Sequence, residues 1–326
     1  MTARSLLTQG YDTLFYAEVQ TPFLDAVVLL AHAMEVTKEK LLASLPDEVP
    51  PDVELRFRSF LDRRCTGVPV SYIRRVKEFY GLDFYVDERV LVPRPDTEVL
   101  VEKVLQCVHA DPRLKRVHDA CTGSGCIGIA VKRTAPDLEV SASDISTAAL
   151  EVAAVNAGRL LGGTESRVLP VFLSDLLESV PGSFDLIASN PPYLRDDEME
   201  VLSKLGWGEP ELALAGGRDG TALAERLIRA APSRLNAGGW LVLEAAPLQI
   251  TKLFALMDQA GFHTIDVEKD LAGSSRVIAG RLSPSVAPPP SALLGDRRLS
   301  PSVAPPPSAL LGDRRLDVKV EVIGRG

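Results

Sequence analysis

The sequence has little cysteine, little histidine and no long uninterrupted hydrophobic run. Its 326 residues include four cysteines and four histidines, which are too few and too scattered for a disulfide scaffold or a zinc site with paired ligands. No segment approaches the roughly 20 apolar residues of a membrane-spanning helix, and polar residues interrupt every apolar run near the N-terminus, so no secretory signal is expected. We therefore expect a cytoplasmic protein with reduced thiols, no bound metal and no membrane contact.

The sequence also lacks an excess of basic residues. Lys and Arg number 36 against 44 Asp and Glu, so the net charge is −8. This balance argues against a broad phosphate-binding face and makes nucleic acid an unexpected partner. The hydrophobic content of 46% and charged content of 25% are typical of a globular protein, and the length allows one large domain or two ordinary ones.

Four regions differ in their residue patterns. Residues 1–75 carry apolar residues at helical spacing, as in TPFLDAVVLLAHAM and PDVELRFRSFLDRRCTG, and predict a small helical domain. Residues 76–94 alternate around a Tyr-Gly pair and predict a β-hairpin connector. Residues 95–281 form the main domain. Residues 282–326 contain the Pro-rich segment LSPSVAPPPSALLGDRR in two tandem copies, which favours a disordered extension over a docking arm that adds an edge strand.

Within residues 95–281, short apolar segments alternate with helical segments. The strand-like segments lie near 116–120, 138–143, 167–173, 184–189, 239–244, 262–268 and 275–281. Such alternation predicts an α/β fold with a doubly wound, mostly parallel sheet of seven strands. The short LAGSS connection predicts that the last two strands are antiparallel. In open sheets of this kind, ligands bind at the carboxyl ends of the strands.

The segment HDACTGSGCIGIAVKR follows the first of these strands and begins a helix. Gly123, Gly125 and Gly128 allow a tight turn and a close approach to a ligand, and NAD, a flavin or S-adenosylmethionine would suit such a loop. The Lys-Ser/Thr pair of a P-loop is absent, which argues against a triphosphate. Asp144, at the end of the next strand, can accept hydrogen bonds from both ribose hydroxyls of an adenosine. It can also cap the following helix. Adenosine without phosphate groups favours S-adenosylmethionine.

The segment FDLIASNPPYL ends an apolar strand on Asn190, Pro191, Pro192 and Tyr193. The prolines stop strand pairing because they have no backbone donor, although Asn-Pro is also a common turn opener. With S-adenosylmethionine as cofactor, these residues suit methyl transfer to a planar NH₂ group. The Asn190 side-chain oxygen and the Pro191 carbonyl can accept its two N–H groups, and the Tyr193 ring can stack on it. We expect catalysis and substrate binding here.

The motifs together resemble the class I methyltransferases that act on amide or exocyclic nitrogens. Three further segments favour the protein-(glutamine-N5) methyltransferases: VLVPRPDTEVLVEKVL at 90–105, EPELALAGGRDG at 209–220 and KDLAGSSRVIAGR at 269–281. This resemblance covers about residues 1–281. It implies the class I S-adenosylmethionine-dependent methyltransferase fold with a helical N-terminal domain that docks the substrate. It also implies S-adenosyl-L-methionine as cofactor and, as target, the glutamine of the Gly-Gly-Gln loop of peptide-chain release factors.

The resemblance also implies roles for individual residues. The expected cofactor contacts are Cys121, Thr122, Gly123, Ser124, Gly125, Asp144, Asp175, Leu176 and Asn190. The expected substrate contacts are Asn190, Pro191, Pro192, Tyr193 and, at the mouth of the site, Phe79. Glu98 matches a signature residue but can equally be a carboxylate at a helix start, and Glu244 is expected to be structural. Cys121 departs from the glycine more usual in the family, which puts tight cofactor binding in question.

Other functions remain open from the sequence. Relatives that methylate a large-subunit ribosomal protein also carry Cys-Thr-Gly-Ser-Gly-Cys, so a glutamine of a ribosomal protein is an alternative target. DNA adenine-N6 methylation requires base flipping and usually a basic groove, which the acidic composition does not favour. A catalytically degenerate methyltransferase fold that only binds partners is a non-enzymatic alternative. An NAD enzyme is disfavoured because no acid/base His or Tyr constellation accompanies the glycine loop.

Overall fold

The computed structural model describes residues 1–162, 169–204 and 207–284. The helices are α1 (Ala3–Tyr16), α2 (Pro22–Ala33), α3 (Lys38–Ala43), α4 (Pro51–Cys65), α5 (Val70–Arg74), α6 (Glu98–Ala110), α7 (Cys126–Thr134), α8 (Thr147–Leu161), α9 (Asp196–Lys204), α10 (Ala222–Ala230) and α11 (Ile250–Gln259). The strands are β1 (Lys77–Phe79), β2 (Leu82–Phe84), β3 (Arg116–Ala120), β4 (Glu139–Asp144), β5 (Val171–Leu173), β6 (Phe184–Ser189), β7 (Leu235–Glu244), β8 (Phe262–Lys269) and β9 (Ser275–Leu282). Among these described residues, no helix combines the length and apolar character that crossing a bilayer would require.

Strands β3 to β9 form one seven-stranded sheet in the order β5-β4-β3-β6-β7-β9-β8. The first five pair in parallel, whereas β9 runs antiparallel to both β7 and β8. The predicted mostly parallel sheet with an antiparallel final pair is therefore confirmed. The strand order reverses between β3 and β6, and such a reversal is where open α/β sheets bind ligands.

Helices cover both faces of this sheet. On one face, Val101 of α6, Ile129 of α7 and Val152 of α8 are fully buried in one apolar cluster. On the other, Leu227 of α10 and Leu253 of α11 lie in a second cluster. Because both faces are buried, the strands consist of nearly continuous apolar runs, and this is the feature that made them recognisable in the sequence.

The strand boundaries differ from the prediction in two places. Strand β7 begins at Leu235 rather than near residue 239, because the Gly238–Gly239 pair forms an irregularity within the strand instead of a turn before it. The segment predicted at 167–173 contains β5 only at its end, and residues 167 and 168 lie outside the described residues. Residues 285–326, which hold most of the predicted disordered extension, also lie outside them.

Helices α1 to α5 pack around an apolar cluster of their own. Helix α2 begins at Pro22, and the Thr21 hydroxyl bonds to the Asp25 carboxylate at 2.9 Å rather than to a helix N–H group. Asp25 also accepts from Arg64 Nε of α4 at 2.7 Å, which ties the two helices together. Gly10 allows α1 to approach α4, because a Cβ there would lie 2.5 Å from Phe57 Cζ.

The connector after these helices is a hairpin of two short antiparallel strands, β1 and β2. Tyr80 and Gly81 form its turn with φ values of 52° and 70°, both in the left-handed region that such tight turns require. Glu98 Oε1 accepts from the Tyr80 backbone N–H at 2.9 Å. Glu98, whose role the sequence left open, thus fixes the hairpin to the start of α6.

Candidate functional site

A cleft opens at the carboxyl ends of β3, β4 and β6, with an empty volume of about 1110 Å³. Its walls include these predicted site residues: Cys121, Thr122, Gly123, Ser124, Asp144, Asp175, Leu176, Asn190 and Pro192. A second, smaller cavity lies beside it, and Arg94 and Asn190 belong to the walls of both. Pro191 and Tyr193 line the smaller cavity. The glycine loop and the Asn-Pro-Pro-Tyr segment therefore lie close together, near the junction of the two cavities.

Asp119, a buried carboxylate near the end of β3, holds the glycine loop in place. Its Oδ2 accepts from the Thr122 hydroxyl at 2.5 Å and from the Gly128 backbone N–H at 3.0 Å. Burial raises the pKa of Asp119 to about 7, although both hydrogen bonds act in the opposite direction. Gly123 has a φ of 54°, and a Cβ there would meet nothing within 4 Å. The loop thus leaves open space on the wall of the cleft.

Asp144 connects the end of β4 to this loop. Its Oδ2 accepts from the Gly123 backbone N–H at 2.9 Å, and its Oδ1 accepts from the Ser146 N–H at 2.9 Å. The cap of α8 is Ser146, whose hydroxyl oxygen accepts from the Ala149 N–H at 3.2 Å. Asp144 is therefore not the helix cap that the sequence left as an alternative. Each of its oxygens keeps acceptor capacity on the wall of the cleft.

The far end of the cleft combines apolar side chains with one ion pair. Ile145 lines it and is 52% exposed, which is unusual for isoleucine in a fold with a well-buried core. Leu176 lies nearby with a φ of 50°, and its carbonyl accepts from the Ser143 hydroxyl at 3.1 Å. Asp175 is paired with Arg226 at 2.8 Å. An exposed apolar surface beside the Asp144 carboxylate suits a flat aromatic ring that carries polar groups on one side.

Cys121 has a φ of 58°, in the left-handed region that a residue with a Cβ rarely adopts. This explains why glycine suits the position, and it shows that the chain accepts a strained backbone here. Burial raises the pKa of the Cys121 thiol to about 12, so the side chain stays a neutral thiol on the cleft wall.

Replacing Cys121 tests whether this strain affects the cofactor. We expect Cys121→Gly to bind S-adenosylmethionine at least as tightly, with little change in stability. Relief of about 1–2 kcal/mol of left-handed strain roughly offsets the 0.5–1 kcal/mol entropic cost of glycine. Cys121→Val should weaken both binding and stability because a branched Cβ adds strain at the same φ. Calorimetric titration and thermal unfolding measure both, and equal affinity of the two variants would contradict the expectation.

Asn190 follows β6 and is half-buried at the junction of the cavities. Its Nδ2 donates to the Thr97 hydroxyl oxygen at 3.1 Å. The Tyr193 hydroxyl donates to Glu244 Oε1 at 3.5 Å. Burial raises the pKa of Tyr193 to about 12, which keeps the phenol protonated at neutral pH. Tyr193 therefore supplies a ring and a donor, not a base.

The loop at residues 209–220 and the side chain of Gln249 contact the backbone of Tyr193 and hold it in place. Gln249 Nε2 donates to the Tyr193 carbonyl at 2.8 Å. A Cβ on Gly220 would lie 2.2 Å from that carbonyl oxygen, and one on Gly216 would lie 2.7 Å from Tyr193 Cα. The glycines of this signature segment are needed because the Asn-Pro-Pro-Tyr backbone passes against them.

The Gly220 contact predicts a difference between two otherwise similar substitutions. Gly220 and Gly217 have φ values of 75° and 84°, but a Cβ on Gly217 meets only Ala222 Cβ, at 3.3 Å. We expect Gly217→Ala to lower the free energy of unfolding by about 1 kcal/mol, from backbone strain alone. Gly220→Ala should lower it by about 2 kcal/mol, since overpacking adds to the strain, and should also displace Tyr193 and lower kcat. Urea unfolding and turnover measure both; equal kcat in the two variants would contradict the contact.

Glu209 joins two of the signature segments. This buried carboxylate accepts from the Val92 backbone N–H at 2.9 Å and from Trp207 Nε1 at 2.8 Å, and it forms an ion pair with Arg94. It therefore fixes the Pro-Arg-Pro turn and sets Arg94 on the wall between the two cavities. The sequence showed both segments but not that they bind one another.

Phe79 and Gly125 lie apart from the cavity walls described above. Phe79 is 1% exposed and packs edge-on against Phe84 at a ring distance of 6.0 Å, so it supports the hairpin. Gly125 has a φ of 82° and permits close packing, because a Cβ would lie 2.9 Å from Ile129 Cδ1.

Three residues that sequence reasoning did not select also shape the site: Arg94, Thr97 and Asn156. Arg94 and Thr97 lie in the segment VLVPRPDTEVLVEKVL, whose resemblance to the family could have identified them as site residues. Asn156 is fully buried, and its Nδ2 donates to the Ser124 carbonyl at 2.9 Å and to the Tyr85 carbonyl at 2.9 Å. It lies in an ordinary helical pattern, so nothing in the sequence marked it.

Comparisons with known proteins agree with the motifs. Residues 5–74 match the family model of the PrmC N-terminal domain, and residues 95–205 match that of the methyltransferase small domain. The release factor glutamine methyltransferase of Cereibacter sphaeroides is 39% identical over 283 residues, which are 86% of this chain and 99% of that protein. The release factor glutamine methyltransferase of Clostridium acetobutylicum is 33% identical over 282 residues, 85% of this chain and 98% of that protein.

Among solved structures, the catalytic domain of hMettl16 in complex with an RNA hairpin covers 71% of this chain and 84% of its own, with a TM-score of 0.52. Its sequence identity is 14%, so this likeness concerns the fold alone. The two release factor glutamine methyltransferases, in contrast, are 39% and 33% identical to this chain over nearly their whole lengths, and this similarity shows the family. The chain belongs to the release factor glutamine methyltransferase family of S-adenosylmethionine-dependent enzymes.

Proposed function

We propose that this chain transfers a methyl group from S-adenosylmethionine to the side-chain amide nitrogen of a glutamine in a peptide-chain release factor. The observation that carries the proposal is the state of Asn190. Its NH₂ group donates to Thr97. Among the described residues no donor is recorded for its carbonyl oxygen, and the residue lines both cavities. A free acceptor at this point suits a target that brings N–H groups.

The larger cleft fits the cofactor. The open space at Gly123 admits a chain passing close to the backbone, Asp144 offers acceptors for ribose hydroxyls, and Ile145 offers an apolar surface for adenine. When bound, S-adenosylmethionine supplies an electrophilic methyl group on a sulfonium. The half-buried, protonated Tyr193 and the Pro191–Pro192 pair restrict water around that position.

The residues beside the cofactor activate the target nitrogen without a strong base. An amide nitrogen is a poor nucleophile because its lone pair is delocalised into the carbonyl. The Asn190 oxygen and the Pro191 carbonyl accept its two N–H groups, which favours a more nucleophilic nitrogen and disperses the positive charge that develops on it. The two prolines hold the Pro191 carbonyl rigidly, so little reorganisation is needed.

The smaller cavity suits a long, narrow side chain whose neighbouring residues in the substrate are small. Apolar residues, among them Leu91, Leu202 and Trp207, line it, together with Tyr193. A glutamine preceded by two glycines can enter such a cavity without a flanking side chain to exclude it. Residues 1–75 supply the proposed docking surface for the remainder of the release factor. Because the proposed substrate belongs to the translation apparatus, we also propose that the enzyme acts in the cytoplasm.

Transfer of labelled methyl to purified proteins tests the proposal. A release factor with an intact Gly-Gly-Gln loop should be labelled, and the same factor with its loop Gln replaced by Ala should not. A large-subunit ribosomal protein, added as competitor, examines the alternative suggested by the Cys121–Cys126 loop. Equal labelling of the Gln-to-Ala factor, or preferential labelling of the ribosomal protein, would refute a release factor as the target.

A further inference from the structure

Arg94 lies on the wall that the larger cleft and the smaller cavity share. Among the described residues that line the smaller cavity it is the only charged one, beside apolar neighbours such as Leu91 and Leu202. Its side chain is 38% exposed. A charged group next to an apolar cavity costs free energy unless hydrogen bonds compensate it, so its position calls for a reason beyond packing.

A buried carboxylate holds Arg94 in this position. The Glu209 side chain is 1% exposed and forms an ion pair with Arg94 through Oε2, while its Oε1 accepts from the Val92 backbone N–H at 2.9 Å. Trp207 Nε1 also donates to Oε2, at 2.8 Å. Prolines on both sides of Arg94 restrict its backbone. The guanidinium is therefore in place before any substrate arrives.

Arg94 is also the least committed side-chain donor of the smaller cavity. The other side-chain donors on its walls already donate within the protein: Asn190 to Thr97, Tyr193 to Glu244 and Trp207 to Glu209. Arg94 donates to Glu209 through Nη2. The remaining N–H groups of its planar fork have no partner among the described residues.

A primary amide brings both N–H groups and a carbonyl oxygen into this cavity. In the proposed function, the Asn190 oxygen and the Pro191 carbonyl accept from the nitrogen, which leaves the oxygen of the target amide to be satisfied. Water that hydrates this oxygen is displaced when the side chain enters, and a buried carbonyl without a donor is costly. The free N–H groups of Arg94 are donors on the same cavity wall.

We propose that Arg94 is a substrate-binding residue that donates to the side-chain oxygen of the target glutamine, while Asn190 and Pro191 bind its nitrogen. The inference rests on the proposed function, which places a glutamine amide in the smaller cavity. A donor for one end of the amide and acceptors for the other distinguish two groups of nearly the same shape. A guanidinium at the oxygen draws electron density from the nitrogen, so Arg94 adds to binding and orientation rather than to nucleophilicity.

Arg94→Met tests the contact, because methionine is also unbranched and apolar along its stem but has no donor. Calorimetry measures the binding of an intact release factor to enzyme saturated with S-adenosylhomocysteine, which has no methyl group to transfer. We expect the dissociation constant to rise about 10- to 100-fold, the effect of losing a hydrogen bond from a charged group. In turnover, the KM for the release factor should rise with it, whereas kcat and the KM for S-adenosylmethionine should change much less.

The same titration with a release factor whose loop Gln is replaced by Ala isolates the target amide. This factor has no side-chain oxygen for Arg94 to bind, so the wild type and Arg94→Met should bind it equally well. If Arg94 bound a backbone carbonyl of the loop instead, Arg94→Met would bind the Gln-to-Ala factor more weakly too. Arg94→Gln can still donate to Glu209, so it is a second variant with a smaller effect on the fold, and we expect the same pattern from it.

Arg281→Met is the matched control. Arg281 is 33% exposed, is paired with Asp111 at 3.0 Å and donates to the Gly238 carbonyl at 2.9 Å. It lies near the end of β9, beside the amino ends of the parallel strands and outside the walls of both cavities. Its replacement should lower the thermal stability and leave both dissociation constants at their wild-type values.

The results separate this inference from the proposed function. Wild-type affinity of Arg94→Met and Arg94→Gln for the intact factor, or an equal loss of affinity for the Gln-to-Ala factor, would overturn the contact with the glutamine oxygen. A loss of affinity in Arg281→Met as large as that in Arg94→Met would overturn it as well. Failure of the wild-type enzyme to label any intact release factor would instead refute the proposed function, and this inference with it.

Discussion

Asn190→Ala is expected to lower kcat by about 10²–10³-fold, the loss typical of removing one partner that hydrogen-bonds the transition state. Asn190 lines both cavities and its NH₂ group already donates to Thr97, so its oxygen is the atom proposed to accept from the target. Alanine removes the acceptor without filling the space. The change should therefore affect turnover far more than cofactor affinity, and single-turnover kinetics with a saturating release factor substrate would measure it.

Asn236→Ala is a matched control for this experiment. Asn236 lies near the start of β7, at the opposite end of the sheet, where its Nδ2 donates to Asp185 at 2.6 Å. Its replacement removes this hydrogen bond and the one that its Oδ1 accepts from the Ser183 hydroxyl at 2.7 Å, without approaching either cavity, so stability should fall while kcat stays unchanged. If Asn190→Ala turned over as fast as Asn236→Ala, the acceptor role of Asn190 would be wrong.

Asp144→Ala is expected to weaken S-adenosylmethionine binding roughly 10²-fold, since hydrogen bonds to a charged group contribute about 1.5–3 kcal/mol. The carboxylate has two functions here. It holds the Gly123 N–H, and so the shape of the glycine loop, and in the proposed function it offers acceptors to the ribose hydroxyls. Once the cofactor is saturating, kcat should change much less. Calorimetric titration measures the affinity and steady-state kinetics measures the kcat.

Two further variants serve as an intermediate case and a control. They are Asp144→Asn and Asp185→Ala. Asparagine keeps the shape of Asp144 but has one acceptor oxygen, so its affinity should fall between those of the wild type and of Asp144→Ala. Asp185, like Asp144, accepts from two backbone N–H groups, those of Lys115 and Arg116, at 2.8 and 2.9 Å. It lies at the amino end of β6, so Asp185→Ala should reduce stability only. Unchanged cofactor affinity in Asp144→Ala would refute the assignment.

The sequence predicted those parts of the molecule that depend on local pattern. Apolar runs buried on both faces gave the strands, and the two motifs follow strands whose carboxyl ends adjoin in a parallel sheet. Asp144 and the glycine loop consequently share one cleft with Asn190. These placements required no knowledge of distant contacts, because parallel pairing brings the ends together.

The sequence did not predict interactions between segments far apart in the chain. Glu209 bonds to Val92 across 117 positions, and Thr97 bonds to Asn190 across 93. Each of these residues has an ordinary local role, such as a helix start or a loop carboxylate, and only the tertiary fold selects the partner. The Phe79 expectation illustrates the same point, since an aromatic residue in a hairpin can face the site or the core, and here it is buried with Phe84.

The positions of Glu244 and Gln249 late in the chain have a consequence for biosynthesis. Glu244 completes the hydrogen bonds beneath Tyr193, and Gln249 holds the Tyr193 carbonyl, so the acceptor site cannot assume its shape while these residues are still within the ribosomal tunnel. A nascent enzyme that has emerged only as far as Tyr193 has its cofactor loop but no ordered place for a target amide. The acceptor site can therefore take its described shape only once synthesis has passed Gln249, well after the Asn-Pro-Pro-Tyr segment has been made.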